Sequence, residues 1–215
     1  MKRPSPLNLG ALLIGGLLGT ALLMNTSGPS TRKNPADVTF LRDMSAHHAQ
    51  AVEMSVTLLK RSSDPDVKLL AQDITLTQQA QIGQMSGWLT AWGLPVAGVN
   101  PPMHGMDRAA MGMASQNEVR SLDTLPVREA EAQFLLLMRE HHLGGVRMAQ
   151  SVLNTGQEPL VRSFAQRVVS SQSAEIRTID ALLKERSITP STTPDHSEPD
   201  HSEPDNSEME NMDHG

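Results

Sequence analysis

The chain has 215 residues, a length that accommodates one domain with tails or at most two small domains. Its net charge of −6 and its scattered Lys and Arg residues give no basis for nucleic-acid binding, and the absence of cysteine excludes disulfide bonds, thiolate ligands and a lipid-modified cysteine. With three Phe, two Trp and no Tyr, the core has to be built from aliphatic residues and Met, which favours helices over sheets.

The N-terminal segment resembles an export sequence. Met1-Lys2-Arg3 is followed by an apolar run over residues 9–24, which is the pattern of a signal peptide. No Ala-x-Ala cleavage sequence follows, and the run is short for a spanning helix, which needs about 20 residues. Residues 1–33 are therefore predicted to be a signal peptide or an N-terminal membrane anchor, and the protein is predicted to be exported.

Four long helices are predicted next. Asn34 before Pro35 and Asp64 before Pro65 are helix starts, while Gly93 and Gly156 mark helix ends. Because the connections inside each pair are short, consecutive helices should form antiparallel hairpins. The predicted helices cover residues 35–60, 65–92, 126–154 and 158–185.

A duplicated motif relates the two predicted hairpins. Met-x-x-His-His-x5-Met begins at Met44 and again at Met138, and the same offset of 94 positions pairs residues beyond the motif, such as Gln78 with Gln172. Each copy needs its neighbour to bury an apolar face. The sequence thus predicts an all-α fold: a four-helix bundle of two duplicated helical hairpins over residues 34–187, with repeats at about 38–92 and 127–186.

The linker between the hairpins, residues 93–125, is rich in potential metal ligands. A loop does not need Met for packing, so this composition favours metal binding. The candidate ligands in the linker are Met103, His104, Met106, Met111 and Met113.

The C-terminal segment, residues 188–215, contains two copies of Asp-His-Ser-Glu-Pro. It is too polar to bury a core and is predicted to be a disordered acidic tail. Its histidines are either solubilising spacers or additional metal ligands.

The duplicated motif places Met and His on one face of each helix. At about 100° per residue, Met44, His47, His48 and Met54 fall within one arc, and a pseudo-twofold axis would bring the two arcs together. Thioether sulfur suits Cu(I) and imidazole suits copper in both oxidation states. A combination of Met and His without Cys therefore predicts copper binding, with Cu(I) favoured. The motif candidates are Met44, His47, His48, Met54, Met138, His141, His142 and Met148.

Two other interpretations of this motif are open. Met is a common core residue in helical proteins, so the bundle could be a structural or interaction protein whose His residues serve hydrogen-bond networks. A copper-dependent redox enzyme is the third alternative. The Glu-x-x-His pairs of di-iron bundles are missing, and no catalytic activity is expected.

The two copies of Phe-Leu-x-x-Met-x-x-His-His-x5-Met, with Gly144-Gly145-Val146-Arg147-Met148-Ala149 in the second, resemble the bacterial family called domain of unknown function 305. The resemblance covers roughly residues 38–185. It implies a ferritin-like four-helix bundle that is exported to the periplasm, where copper ions and a copper-exporting or copper-receiving protein would be its partners. It also implies ligand roles for the eight motif residues and for Met111 and Met113.

Overall fold

The computed structural model describes residues 33–190, which form five helices and no strand. The predicted signal or anchor segment, apart from Lys33, and the acidic tail, apart from residues 188–190, lie outside the described residues. No helix within residues 33–190 is long and apolar enough to cross a membrane. The helices are α1 (Pro35–Arg61), α2 (Pro65–Ala91), α3 (Gln116–Thr124), α4 (Val127–Thr155) and α5 (Pro159–Glu185).

The starts of α1 and α2 follow from their capping residues. The Asn34 side chain accepts a hydrogen bond from the backbone N–H of Ala36 at 2.8 Å, and the Asp64 side chain accepts from Asp66 and Val67 at 3.0 and 3.2 Å. In each helix a proline follows the cap, and it has no backbone N–H that would need an acceptor. The bounds of all four long helices agree with the predicted ones to within one residue, and the all-α prediction is confirmed.

The two hairpins pack through α1 and α4, which run antiparallel. At one end, the Asp37 carboxylate of α1 accepts hydrogen bonds from the backbone N–H groups of Gln157 and Glu158, just beyond α4. At the other end, Ser62 donates to the Glu131 carboxylate near the start of α4 at 2.5 Å. Asp37 and Glu131 are equivalent positions of the repeat, so these contacts fit a pseudo-twofold axis between α1 and α4.

Two apolar clusters flank that axis, and each takes methionines from both repeats. One cluster contains Met54 of α1 with Met138 of α4. The other contains Met44 of α1 with Met148 of α4. Since Met44 corresponds to Met138 and Met54 to Met148, the pseudo-twofold axis exchanges the two clusters. The midpoint of the α1–α4 contact lies between them.

The linker holds a helix that the sequence analysis did not predict. α3 begins with a capping box, in which the Ser115 side chain accepts from the backbone of Glu118 at 3.2 Å and the Glu118 carboxylate accepts from the backbone of Ser115 at 2.7 Å. Val119 and Leu122 are its buried residues. The Ser-x-x-Glu spacing was the available signal, but it was hidden in a segment interpreted as a connection.

Removing the cap of α3 should weaken the bundle measurably. Ser115→Ala is expected to lower the free energy of unfolding by about 1 kcal/mol, because the first turn of α3 loses a side-chain acceptor. Urea denaturation would measure the change. A midpoint equal to that of the wild type would mean that α3 contributes nothing to the cooperative unit.

Candidate metal centre

Four histidines lie at the midpoint of the α1–α4 contact, and all four are fully buried. The rings of His47 and His141 face each other across the pseudo-twofold axis with centroids 3.7 Å apart and an interplanar angle of 33°. The centroid of His48 lies 6.4 Å from that of His47, and His142 lies 6.2 Å from His141. The two motif copies therefore meet inside the bundle.

The outer histidine of each pair is held by a residue of its own hairpin. His48 Nε2 contacts Gln81 Oε1 of α2 at 2.7 Å, and His142 Nε2 contacts Glu175 Oε2 of α5 at 2.6 Å. Because both partners are oxygen acceptors, each Nε2 carries the proton and donates. The Nδ1 atom of each ring is then left with a free lone pair.

The inner histidines differ from each other. His47 Nε2 lies 3.1 Å from the carbonyl oxygen of Met111 in the linker and donates to it. Both ring nitrogens of His141 are buried without a hydrogen-bond partner. The linker backbone thus orients one inner ring, while packing alone holds the other.

Unpartnered polar atoms are concentrated at this centre. Among the described residues, twelve buried side-chain nitrogen and oxygen atoms have no hydrogen-bond partner, and nine of them belong to the four histidines and two glutamines. A buried polar atom without a partner costs about 1–3 kcal/mol, so this concentration requires an explanation such as an absent ligand. The nine atoms are Nδ1 of His47, His48, His141 and His142, Nε2 of His141, and both amide atoms of Gln78 and Gln172.

Gln78 and Gln172 are site residues that the sequence analysis missed. They are equivalent in the repeat and almost fully buried. Gln172 packs against Gly145, where a Cβ atom would lie 2.3 Å from Gln172 Oε1, and Gly145 is one helical turn from His141. The constant offset had already paired the two glutamines, but only the packing of α2 and α5 reveals that both are buried.

Three of the buried imidazoles, those of His47, His48 and His141, are neutral at neutral pH. Burial lowers the pKa of His47 and that of His48 to about 3 each. Burial also lowers the pKa of His141 well below its usual value, and the nearby His47 adds to the shift. The neutral ring is the form that binds a metal ion.

The donor set at the centre combines nitrogen with sulfur. Within residues 33–190, His, Asp and Glu form no group of three or more that could hold a metal ion. An ion at this centre would therefore need thioether or amide donors besides imidazole. Met44 and Met138 lie one helical turn before His47 and His141 and are fully buried, so sulfur is present on the same helix faces.

The linker methionines occupy several environments. Met103 and Met113 are buried in an apolar cluster, so the premise that linker methionines have no packing role is wrong for these two. The backbone of Met103 adopts a left-handed φ of 60°, and its N–H donates to Asp43 at 2.8 Å. Burial raises the pKa of Asp43, although this hydrogen bond opposes the shift.

A surface cleft brings three other predicted methionines together. Met106, Met111 and Met148 line this cleft of about 280 Å³ between α1, α4 and the linker. Met106 is 44% exposed, whereas Met111 also supplies the carbonyl group that contacts His47. His104 is exposed and lines neither the cleft nor the buried centre. Metal binding at each of these residues stays a prediction.

Residues 37–183 match the family described as "Domain of unknown function (DUF305)". A crystal structure of a DUF305 protein from Streptomyces coelicolor, named as a candidate secreted protein, is 43% identical, with a TM-score of 0.68 over 74% of this chain and 98% of that one. A DUF305 fragment from Deinococcus radiodurans is 41% identical, with a TM-score of 0.65 over 71% and 98% of the two chains.

Metal-bound structures occur among the more distant neighbours. CopM in a Cu(I)-bound form is 26% identical, with a TM-score of 0.52 over 70% of this chain and 96% of that one. CopM in a Cu(II)-bound form is 25% identical, with the same TM-score over 70% and 97%. A curated protein, uncharacterized protein L153 of Acanthamoeba polyphaga mimivirus, is 40% identical over 53 residues. That match spans about a third of its length and 25% of this chain.

Proposed function

This chain belongs to the DUF305 family, and on that premise we propose that it is an extracytoplasmic metal-binding protein that sequesters or transfers copper through Met and His. The observation that carries the proposal is the set of nine unpartnered polar atoms on six buried residues, namely the four histidines at the pseudo-twofold axis and the glutamines Gln78 of α2 and Gln172 of α5. A fold that buries such atoms without partners loses stability. A bound cation would use the lone pairs of the imidazole nitrogens and of the amide oxygens among them, which would offset part of that loss.

The chemistry of these residues suits copper. The imidazoles of the buried centre provide nitrogen donors, and the buried methionines on the same helix faces provide sulfur, which selects Cu(I) over harder cations. We favour Cu(I) because thioether sulfur is a poor ligand for harder cations and the described residues contain no group of three or more His, Asp and Glu residues that could hold such a cation. The similarity to CopM, solved with Cu(I), Cu(II) and silver ions, supports the same assignment.

The surface cleft would exchange copper with the surroundings. Met106 is exposed at the cleft, while Met111 lies partly buried between the cleft and His47. Thioether groups in this position would accept Cu(I) from a donor or release it to a recipient. An exported protein of this kind would serve a copper-exporting or copper-receiving partner, and residues 1–33 would direct export or anchor it to the membrane.

Competition titration tests the copper proposal. Cu(I) is titrated into the wild type and into His47→Leu, His141→Leu and the linker variant Met106→Leu/Met111→Leu, with a chromophoric chelator as competitor. Each His variant should weaken the tightest site by more than about 100-fold, since even residues that only support a ligand contribute about 10- to 100-fold. Leu76→Ala, at an exposed position of α2 outside the centre and the linker, is the control. Unchanged affinity and stoichiometry in all variants would overturn the proposal.

A structural bundle is the second candidate, and the hydrogen bonds of His48 and His142 favour it. His141 discriminates between the two functions because neither of its ring nitrogens has a partner. If the centre exists to bind copper, metal-free His141→Leu should be more stable than the wild type by about 1 kcal/mol, since Leu removes two unsatisfied polar atoms. If the histidines serve packing networks, the same variant should melt at a lower temperature. Calorimetry of the metal-free wild type and variant measures their melting temperatures and decides between the two functions.

A further inference from the structure

The two halves of the buried centre are chemically unequal, although the helices that build them are duplicated. We propose that Glu175 is a positioning residue that makes the half-site of His142 the stronger one, and that Gln81 leaves the half-site of His48 weaker. The first copper ion would therefore bind at the second repeat. This inference rests on the proposed function and adds an order of loading to it.

The two supporting contacts are geometrically equivalent. Gln81 and Glu175 are related by the offset of the repeat, and their oxygen atoms lie 2.7 and 2.6 Å from Nε2 of His48 and His142. Both rings are fully buried, and in both the opposite nitrogen, Nδ1, is buried without a partner. Each support residue therefore accepts a hydrogen bond from the Nε2–H group and leaves the lone pair of the buried Nδ1 atom free.

The difference between the two supports is one negative charge. A carboxylate that accepts the N–H of an imidazole increases the basicity of the other ring nitrogen and strengthens its bond to a metal ion. The neutral amide of Gln81 fixes the same tautomer but adds only a dipole. In a buried site, where charges are weakly screened, the carboxylate also balances the charge of the incoming cation.

No side-chain cation balances the charge of Glu175 in the described part of the chain. Its only ion-pair contact there is with His142, and the Glu175 side chain is only 18% exposed. Nearby Arg139 is paired with Asp180 and Glu140 instead. A partly buried carboxylate that contacts a buried imidazole but neither Lys nor Arg is the arrangement expected beside a cation site.

Exchanging the two support residues tests the proposal. Glu175→Gln keeps the acceptor and removes the charge, so the affinity for the first Cu(I) ion should fall by about 10- to 100-fold. Gln81→Glu adds the charge to the other half and should strengthen binding there. The double variant Gln81→Glu/Glu175→Gln has the wild-type net charge and should regain wild-type affinity. Competition titrations measure the Cu(I) affinity of all three variants. Melting temperatures of the metal-free proteins verify that each variant is folded.

Nitrogen NMR of the histidine rings locates the first ion. In the metal-free wild type and in Glu175→Gln, His48 and His142 should both carry the proton on Nε2. With less than one equivalent of Cu(I), the His142 resonances should change first in the wild type, and the His48 resonances should change first in the double variant. Simultaneous changes at both histidines, together with unaltered affinity in Glu175→Gln, would overturn the inference and leave the copper proposal standing. A wild type that binds no Cu(I) would overturn both.

Discussion

Acidification from pH 7 to pH 5 should lower the free energy of unfolding of the metal-free protein by about 2 kcal/mol for each of His47 and His48, and further through His141. The cause is burial, which lowers the pKa of the first two rings from 6.5 to about 3. In the unfolded chain these rings take up protons near pH 6.5, whereas in the folded chain they stay neutral. The unfolded state therefore binds more protons, and stability falls with pH.

The pH window separates this effect from that of the carboxylates. The histidine contribution is fully present above pH 6.5 and declines until the pH reaches about 3. Asp64 has a lowered pKa, so its contribution is lost only near and below its usual value of 3.8. Asp43 has a raised pKa, so acid favours its folded form and partly offsets the loss. A decline between pH 7 and pH 5 must therefore come from the buried histidines.

Urea denaturation at several pH values between 7.5 and 5 measures how steeply the free energy of unfolding changes with pH. His47→Leu and His141→Leu remove one titrating group each and should each flatten the curve. The same free energy of unfolding at pH 7 and pH 5 would contradict the neutral, buried histidine centre. Bound copper should raise the free energy of unfolding without flattening this slope, because the metal keeps the folded rings unprotonated while the unfolded chain still takes up protons.

The sequence predicted best those structural features that depend on residues close together in the chain. Asn34 and Asp64 mark helix starts because a cap acts on the next two or three residues, and helical periodicity alone places His47 and His48 on an inward face. The duplication then predicted that a second pair, at His141, would share the centre. Each of these inferences requires only a single helix or one repeated spacing.

The remaining features depend on contacts between elements far apart in the chain. The 3.7 Å stacking of His47 on His141 requires the antiparallel packing of α1 on α4, which no spacing encodes. The burial of Met103 depends on Asp43, 60 residues away. Gln172 is a similar case. The repeat offset paired it with Gln78, but only the packing of α5 against α4 reveals that its amide has no hydrogen-bond partner.

The approach of the linker backbone to α4 at Gly144 provides the second large effect. Gly144→Ala should destabilise the protein by about 3 kcal/mol, which is the upper part of the usual range for overpacking. A Cβ atom on Gly144 would lie 1.6 Å from the carbonyl oxygen of Met111, 2.2 Å from its carbonyl carbon and 2.9 Å from the nitrogen of Gly112. All three are backbone atoms, so no side-chain rotation relieves the overlap, and the linker has to move away from α4.

That displacement should also affect the metal centre, because the carbonyl group that is pushed aside is the partner of His47. Copper affinity in Gly144→Ala should therefore fall together with stability. Gly87→Ala is the matched control: it lies within α2, and a Cβ atom there would have no neighbour within 4 Å. The control should gain up to about 1 kcal/mol from helix propensity and bind copper normally. If thermal melting shows that Gly144→Ala is stabilised as much as the control, the linker does not pack against α4 at this glycine.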